Sequence, residues 1–203
     1  MKKLIIIGAS GHGKVAADIA SKTYESILFL DDGPQLECMG YPVVGKSQDC
    51  AMYVENYSFF VAIGNSLARK RVMEMLESYK ADVVTLIHPH ATIAKTVAIG
   101  PGCIVMAGAV INPCVTLGKG CIVNTCSSVD HDCVIADYVH VSVGAHLAGS
   151  ITVGEHTWIG AGATVSNNIS ITKNCMIGAG AVVVEDICES DTYICVPAKK
   201  CLQ

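Results

Sequence analysis

One histidine of this chain lies between two carboxylates, in Asp130-His131-Asp132. An imidazole held in one tautomer by a neighbouring carboxylate is the usual general base for taking a proton from an amine or hydroxyl that attacks an acyl carbon. Successive side chains of an extended strand point to opposite faces, so the pairing requires a corner here. An exposed structural histidine has the same spacing. His140, His146 and His156 follow at intervals of nine, six and ten residues. They raise the question of zinc, whose catalytic sites take three protein ligands and keep a fourth position open. Such unequal intervals place the rings at different points of a repeating coil, which favours acid–base chemistry.

A second group with chemistry to offer lies near the start. The turn Gly8-Ala9-Ser10-Gly11-His12-Gly13 follows an aliphatic strand at Lys3–Ile7 and enters a helix read at 14–21. Backbone N–H groups in such a turn, helped by the helix dipole, cradle a phosphate. About twenty residues later a second strand, 27–30, ends at Asp31-Asp32, where an acidic residue commonly meets a ribose hydroxyl or a base. The spacing is G-x-x-G-x-G, not the dinucleotide fingerprint G-x-G-x-x-G, and a tight turn without ligand is the plain alternative. Strands at 57–63 and 83–86 and a helix at 67–79 complete an alternating, α/β Rossmann-like domain over 1–86. That length supplies little more than one half of a dinucleotide fold. A mononucleotide or a nucleotide-linked small molecule fits better than NAD.

The element that must position His131 is a repeat. From Ile87 to Val183 every sixth residue is Ile, Leu or Val, and four residues after each stands a small or aliphatic side chain. A period of six matches neither a helix nor one long strand; it matches a short strand plus a corner. Three units close one triangular coil, so equivalent positions recur every eighteen residues, as in a parallel β-helix. Seventeen units make nearly six coils, a prism roughly 27 Å tall at ~4.8 Å per stacked strand. Cys103, Cys121, Cys133 and Cys175 fall on inward positions. Eleven cysteines, an odd number without a Cys-x-x-Cys pair, read as reduced thiols of a cytosolic protein. The net charge of −4, with no basic stripe, argues against nucleic acid. The apolar run Leu4–Ile7 is too short for export or a membrane span.

The hexads resemble those of the left-handed β-helix acyltransferases. Gly8-Ala9-Ser10-Gly11-His12-Gly13, Leu30-Asp31-Asp32, Ala62-Ile63-Gly64-Asn65, Ser128-Val129-Asp130-His131-Asp132-Cys133, His140-Val141-Ser142-Val143-Gly144-Ala145 and Val196-Pro197-Ala198-Lys199 together are similar to one subfamily. It comprises bacterial acetyltransferases of nucleotide-linked amino sugars and the sialic-acid O-acetyltransferase type. The resemblance implies a left-handed parallel β-helix over 87–188, a C-terminal tail over 189–203, and a cytoplasmic homotrimer with sites between adjacent prisms. It implies acetyl-CoA as cosubstrate, no metal, and a sugar nucleotide, a UDP-sugar by expectation, held by the N-terminal domain.

By the same resemblance His131 is the base and Asp132 its polarising partner. Ser10, Gly11, His12, Asp31, Asp32 and Gly64 contact the sugar nucleotide, and His140, Ala161 and Ala179 lie at the cofactor. Some relatives carry Glu where Asp132 stands, and Cys195 replaces a usual Gly. The expected reaction is direct attack by the sugar amine in a ternary complex, with Cys133 no nucleophile. O-acetylation of a sialic acid or other sugar hydroxyl is the alternative acceptor chemistry. A silent nucleotide-sugar scaffold and a zinc carbonic anhydrase are the alternatives outside acyl transfer.

Overall fold

Leu4, Ile5, Ile6 and Ile7 are all fully buried, as a strand must be when helices cover both faces of its sheet. The computed structural model describes residues 2–201 and divides into two compact units, Met1–Leu86 and Ile87–Gln203. In the first unit, β1 (Lys3–Ile7) is the centre of a three-stranded parallel sheet between β2 (Ser26–Leu30) and a later strand at Ser58–Val61. Ile5 pairs with Leu28 on one side and Phe59 on the other. Helix α1 (Gly11–Ala20) buries Gly13, Ala16, Ala17, Ile19 and Ala20. The helix at Ser66–Ser78 is capped by Asn65, whose Oδ1 accepts from Ala68 N, and buries Arg69, Met73 and Leu76.

This unit departs from the sequence reading first in its helix, which starts at Gly11 and not at 14. The hairpin β3 (Glu37–Cys38) and β4 (Tyr41–Pro42) and the 3-10 turn Ser47–Met52 are additions too short to leave a periodic signal. The expected strand at 83–86 is reduced to one bridge, Phe59 to Val83, because the chain leaves this sheet to begin the solenoid at Leu86–Ile87.

The second unit is a three-faced parallel β-solenoid of two-residue strands. One face stacks Thr92–Ile93, Val110–Ile111, Ser128–Val129, His146–Leu147, Thr164–Val165 and Val182–Val183. The register is eighteen residues throughout that stack, as in Ser128 opposite Val110 below and His146 above. The predicted inward positions form the core: Val105, Ile111, Leu117, Val123 and their successors, with Cys103, Ala109, Val115 and theirs, are buried. The first coil is the open end, where Ile87 is exposed and Ile93 and Ile99 are half-buried. Polar inward residues are satisfied internally. Thr157 Oγ1 donates to Thr172 O (2.9 Å) and accepts from Cys175 N (3.2 Å).

Each corner turns through one left-handed residue, at every sixth position from Gly102 to Gly180. Eight of these are not glycine: Cys114, Cys126, Asp132, Tyr138, Ser150, His156, Asn168 and Asn174. Asn and Asp tolerate that region best, whereas a bulky residue such as Tyr138 adopts it only where the surroundings impose it. The stretch read as a tail carries two further strands. Thr192–Ile194 lies parallel to Met176–Ile177, and Lys199–Lys200 folds back antiparallel on it.

Candidate active site

His131 and Asp132 occupy the corner that follows the strand Ser128–Val129. The left-handed φ of Asp132, 59°, breaks strand alternation and brings two adjacent side chains together. His131 Nδ1 lies 2.8 Å from Asp132 Oδ2. A carboxylate only accepts, so the neutral ring carries its proton on Nδ1 and offers Nε2 as the base. Both side chains are well exposed, at 57% and 58%. The hydrogen bond to Asp132, then the charges of Asp130 and Asp132, hold the imidazole pKa above its ordinary value. Asp130 Oδ1 accepts from the backbone N–H of His131 (2.7 Å) and from Asn112 Nδ2 (2.7 Å). Above the ring lies Gly149, where a Cβ would approach Cε1 and Nε2 of His131 to 2.6 Å. The imidazole thus occupies space that only a glycine leaves open.

The sequence reading names Asp130 as one of the two carboxylates beside His131 but misses its bond to Asn112 and the place of Gly149. The signal was available, because 112 and 130, like 131 and 149, are one eighteen-residue coil apart.

Cys133 is fully buried. Its Sγ donates to Ala148 O (3.1 Å) and accepts from Ile151 N (3.4 Å), and burial pushes its pKa up. A thiol so placed is a core group, not a nucleophile.

His140 is on a different face, in the strand His140–Val141, with its side chain on the outward side and yet buried. Asn124 Oδ1 accepts from Thr125 N (2.8 Å), so the amide nitrogen is the atom facing His140 Nε2 at 3.1 Å. Nε2 must therefore accept, which leaves the proton on Nδ1. The ring packs on Trp158, 4.6 Å between centroids, and the indole N–H donates to Ser142 Oγ (2.6 Å). Ala161 and Ala179 stack one coil apart at the next corner, joined through Gly180 N to Ala161 O (2.8 Å), and both are exposed. Beside them Gly144, Gly162 and Gly180 form a column with open space where side chains would stand. An extended cosubstrate can approach the backbone there without meeting a side chain.

This corner and the corner of His131 are separated by one whole face, six residues or at most ~20 Å of chain. Among the described residues no three His, Cys, Asp or Glu side chains converge as a metal site.

In the first unit the glycine turn divides by role. A Cβ on Gly8, whose φ is 110°, would meet Ala62 O at 2.7 Å, and one on Gly13 would overlap the Gly8 carbonyl; Gly11 faces open space. Ser10 is exposed at the N-cap of α1, and its hydroxyl makes no capping bond. Asp31 binds the turn itself, accepting from Ala9 N (2.6 Å) and Gly33 N (2.7 Å), while the exposed Asp32 accepts from Ser47 N (3.0 Å). The carbonyls of Ile63 and Gly64 accept from the guanidinium of buried Arg69, each at 2.8 Å. His12 packs near Phe60, and its Nε2 is buried without a partner. Burial, and then the charge of Arg69, lower its pKa to about 4, so the ring is neutral. Lys200 at the C-terminal end is paired with Glu189 (2.8 Å) and Asp191 (3.1 Å), which occupies its charge.

Comparison with known proteins finds matches to each of the two units and to the whole chain. The PglD N-terminal domain matches residues 3–76, and the bacterial transferase hexapeptide repeat matches 150–184. The acetyltransferase domain of PglB from Neisseria gonorrhoeae FA1090, in complex with acetyl coenzyme A, is 40% identical over 98% of this chain and 99% of its own, with a TM-score of 0.96. A mutant of perosamine N-acetyltransferase from Caulobacter crescentus, in complex with CoA and GDP-perosamine, is 34% identical over 100% of this chain and 98% of its own, TM-score 0.96. UDP-N-acetylbacillosamine N-acetyltransferase of Bacillus subtilis (strain 168) is 35% identical over 115 residues. That match spans about half of the curated relative, 52% of its length. With whole-chain identity above one third across both units, the chain belongs to the hexapeptide-repeat sugar acetyltransferases that carry a PglD-type N-terminal domain.

Proposed function

We propose that this protein transfers the acetyl group of acetyl-CoA to the amine of a nucleotide-linked amino sugar, with His131 as general base. The observation that carries this reading is the His131–Asp132 pair on an exposed β-solenoid corner, where the bond from Nδ1 to the carboxylate leaves Nε2 as the basic nitrogen. The amine lone pair forms a bond to the thioester carbonyl carbon while Nε2 takes the amine proton. The C–S bond then breaks, and the departing thiolate recovers that proton as CoA thiol. Asp132 stabilises the transient imidazolium, and a backbone N–H steadies the oxyanion. The buried Cys133 argues for direct attack in a ternary complex without an acyl-enzyme.

The N-terminal unit supplies the nucleotide-sugar site through the Ser10–His12 turn, Asp31, Asp32 and Gly64. The relatives carry different nucleotides, UDP in one name and GDP in another, so the base is left to experiment. His140, Ala161 and Ala179 serve the cosubstrate. Because one chain separates these groups from His131 by a full face, the reading includes a homotrimer in which one prism's base works beside its neighbour's cofactor corner. A cytoplasmic location, where acetyl-CoA is made, fits this chemistry, and among the described residues no helix is long and apolar enough to cross a membrane.

The test is CoA-thiol release with acetyl-CoA and a panel of UDP-, GDP- and dTDP-amino sugars plus free sialic acid. One aminated sugar nucleotide should be turned over, and His131→Ala should lower kcat by orders of magnitude with acetyl-CoA binding intact. Turnover of sialic acid alone selects O-acetylation instead, and near-normal turnover in the variant removes the base. Mixing His131→Ala with Ala161→Arg chains should restore activity that neither has alone; no recovery in mixed oligomers refutes the shared site.

A further inference from the structure

Resting on that reading, the corner of His131 carries a device that the acyl-transfer chemistry does not itself use. The backbone N–H of Asp130 donates into the coil above at Leu147 O (3.0 Å), and that of Asp132 into the coil below at Pro113 O (3.1 Å). The His131 N–H between them finds its acceptor in the Asp130 side chain. The equivalent position one coil down is Pro113, which has no N–H to satisfy.

A side chain that caps the next residue's N–H recurs elsewhere, at Asn124–Thr125 (2.8 Å) and Asp191–Thr192 (2.8 Å). Only at Asp130, among these, is the same oxygen also tied to the coil below, through Asn112 Nδ2 at 2.7 Å. Asn112 is itself held, its N–H donating to Val129 O (2.9 Å). Two ladder-pinned residues therefore clamp one carboxylate, and that carboxylate clamps the peptide of the base.

We propose that Asn112 and Asp130 form a cross-coil positioning pair that fixes the backbone, and hence the imidazole direction, of His131. Neither group is placed to exchange a proton with substrate; both act through His131. The charged groups facing the ring are Asp130 and Asp132 of its own turn. Ala148, Gly149 and Ser150 above carry no ionisable side chain, and Asn112, Pro113 and Cys114 below add only the Cys114 thiol. Asp130 consequently has two separable effects. Its geometry sets where Nε2 points, and its charge helps keep the imidazole protonated to higher pH.

Three variants separate these effects. Asp130→Ala should lower kcat by about 10- to 100-fold, the scale of an ångström-sized misplacement, with the KM for acetyl-CoA unchanged. Asn112→Ala, which keeps the Asp130–His131 bond, should cost less. Asp130→Asn keeps an acceptor oxygen and should recover much of the loss, while the His131 titration, followed by NMR on the free protein, moves to lower pH. Melting curves recorded alongside identify a variant that merely unfolds; in that case the Asp130→Asn titration and the Asn112→Ala kcat decide. Wild-type kcat in Asp130→Ala, or equal losses in Asp130→Ala and Asp130→Asn with no shift of the titration, overturns the pair. Retained turnover in His131→Ala would instead sink the base assignment on which the inference rests.

Discussion

Replacing Gly149 by Ala separates the geometry of the proposed base, His131, from the stability of the fold. The added Cβ would stand 2.6 Å from both Cε1 and Nε2 of His131, whereas carbon atoms in contact settle at about 3.5 Å. The ring must retreat by about 1 Å, and Nε2 moves with it. A misplacement of that size costs on the order of 100-fold in rate, or about 2.7 kcal/mol of transition-state stabilisation. The fold should not suffer. Gly149 is not among the residues with positive φ, the clash is with side-chain and not backbone atoms, and Gly→Ala at a compatible site stabilises by about 0.4–1 kcal/mol through the unfolded state. The assay is CoA-thiol release under saturating cosubstrate, with a thermal melt of the same sample. The expected result is a kcat near one hundredth of the parent, an unchanged KM for acetyl-CoA and an equal or higher Tm. A kcat within threefold of the parent would refute the reasoning, because the imidazole would then not depend on the space above it.

The neutral His12 makes stability fall with acidity: its folded pKa is about 4 against an ordinary 6.5, so between those values the unfolded chain takes up the proton and the folded one does not. The depression corresponds to about 3 kcal/mol, and denaturant melts should show a stability loss between pH 7 and 4 smaller by that amount in His12→Asn; identical losses would place the imidazole in water. Cys133→Ala should keep kcat within twofold while losing on the order of 1 kcal/mol of stability, and a pre-steady-state burst that vanishes in this variant would restore an acyl-enzyme. Cys195 adopts a left-handed φ of 80°, so Cys195→Gly should raise stability by about 1 kcal/mol through relief of left-handed strain; a lower Tm would show that the thiol packs usefully. NMR of the His140 ring should find the Nδ1–H tautomer, and its conversion in Asn124→Ala; an Nε2–H ring in the parent contradicts the amide orientation.

How much was legible differs between the two units for physical reasons. The solenoid announced itself because a coil closed by three corners repeats its environment every eighteen residues. Ile111, Val129 and Leu147 therefore stack and must each be aliphatic, and inward positions could be assigned one by one. The first unit left weaker traces. The hairpin at Glu37–Pro42 is held by two-residue strands with no period, and the expected strand at 83–86 shrank to a bridge because Leu86 and Ile87 were taken by the next unit's first face.

At the candidate site, residue types and local spacing pointed to a histidine beside a carboxylate, to a phosphate-sized glycine turn, and to an inward, unreactive Cys133. Their roles depended on contacts between residues far apart in the chain. Only the folded coil decided that a left-handed Asp132 turns its carboxylate onto Nδ1, that Gly149 one coil above vacates the space of the ring, and that Asn112 one coil below donates to the Asp130 carboxylate. Only the folded sheet decided that Asp31 spends its oxygens on Ala9 and Gly33, and that burial, with Arg69 adding to it, keeps His12 neutral. The period of a chain is a property of its sequence, because burial repeats with the backbone. The direction of a side chain is not, because it is settled by whichever atoms the next coil or strand brings against it.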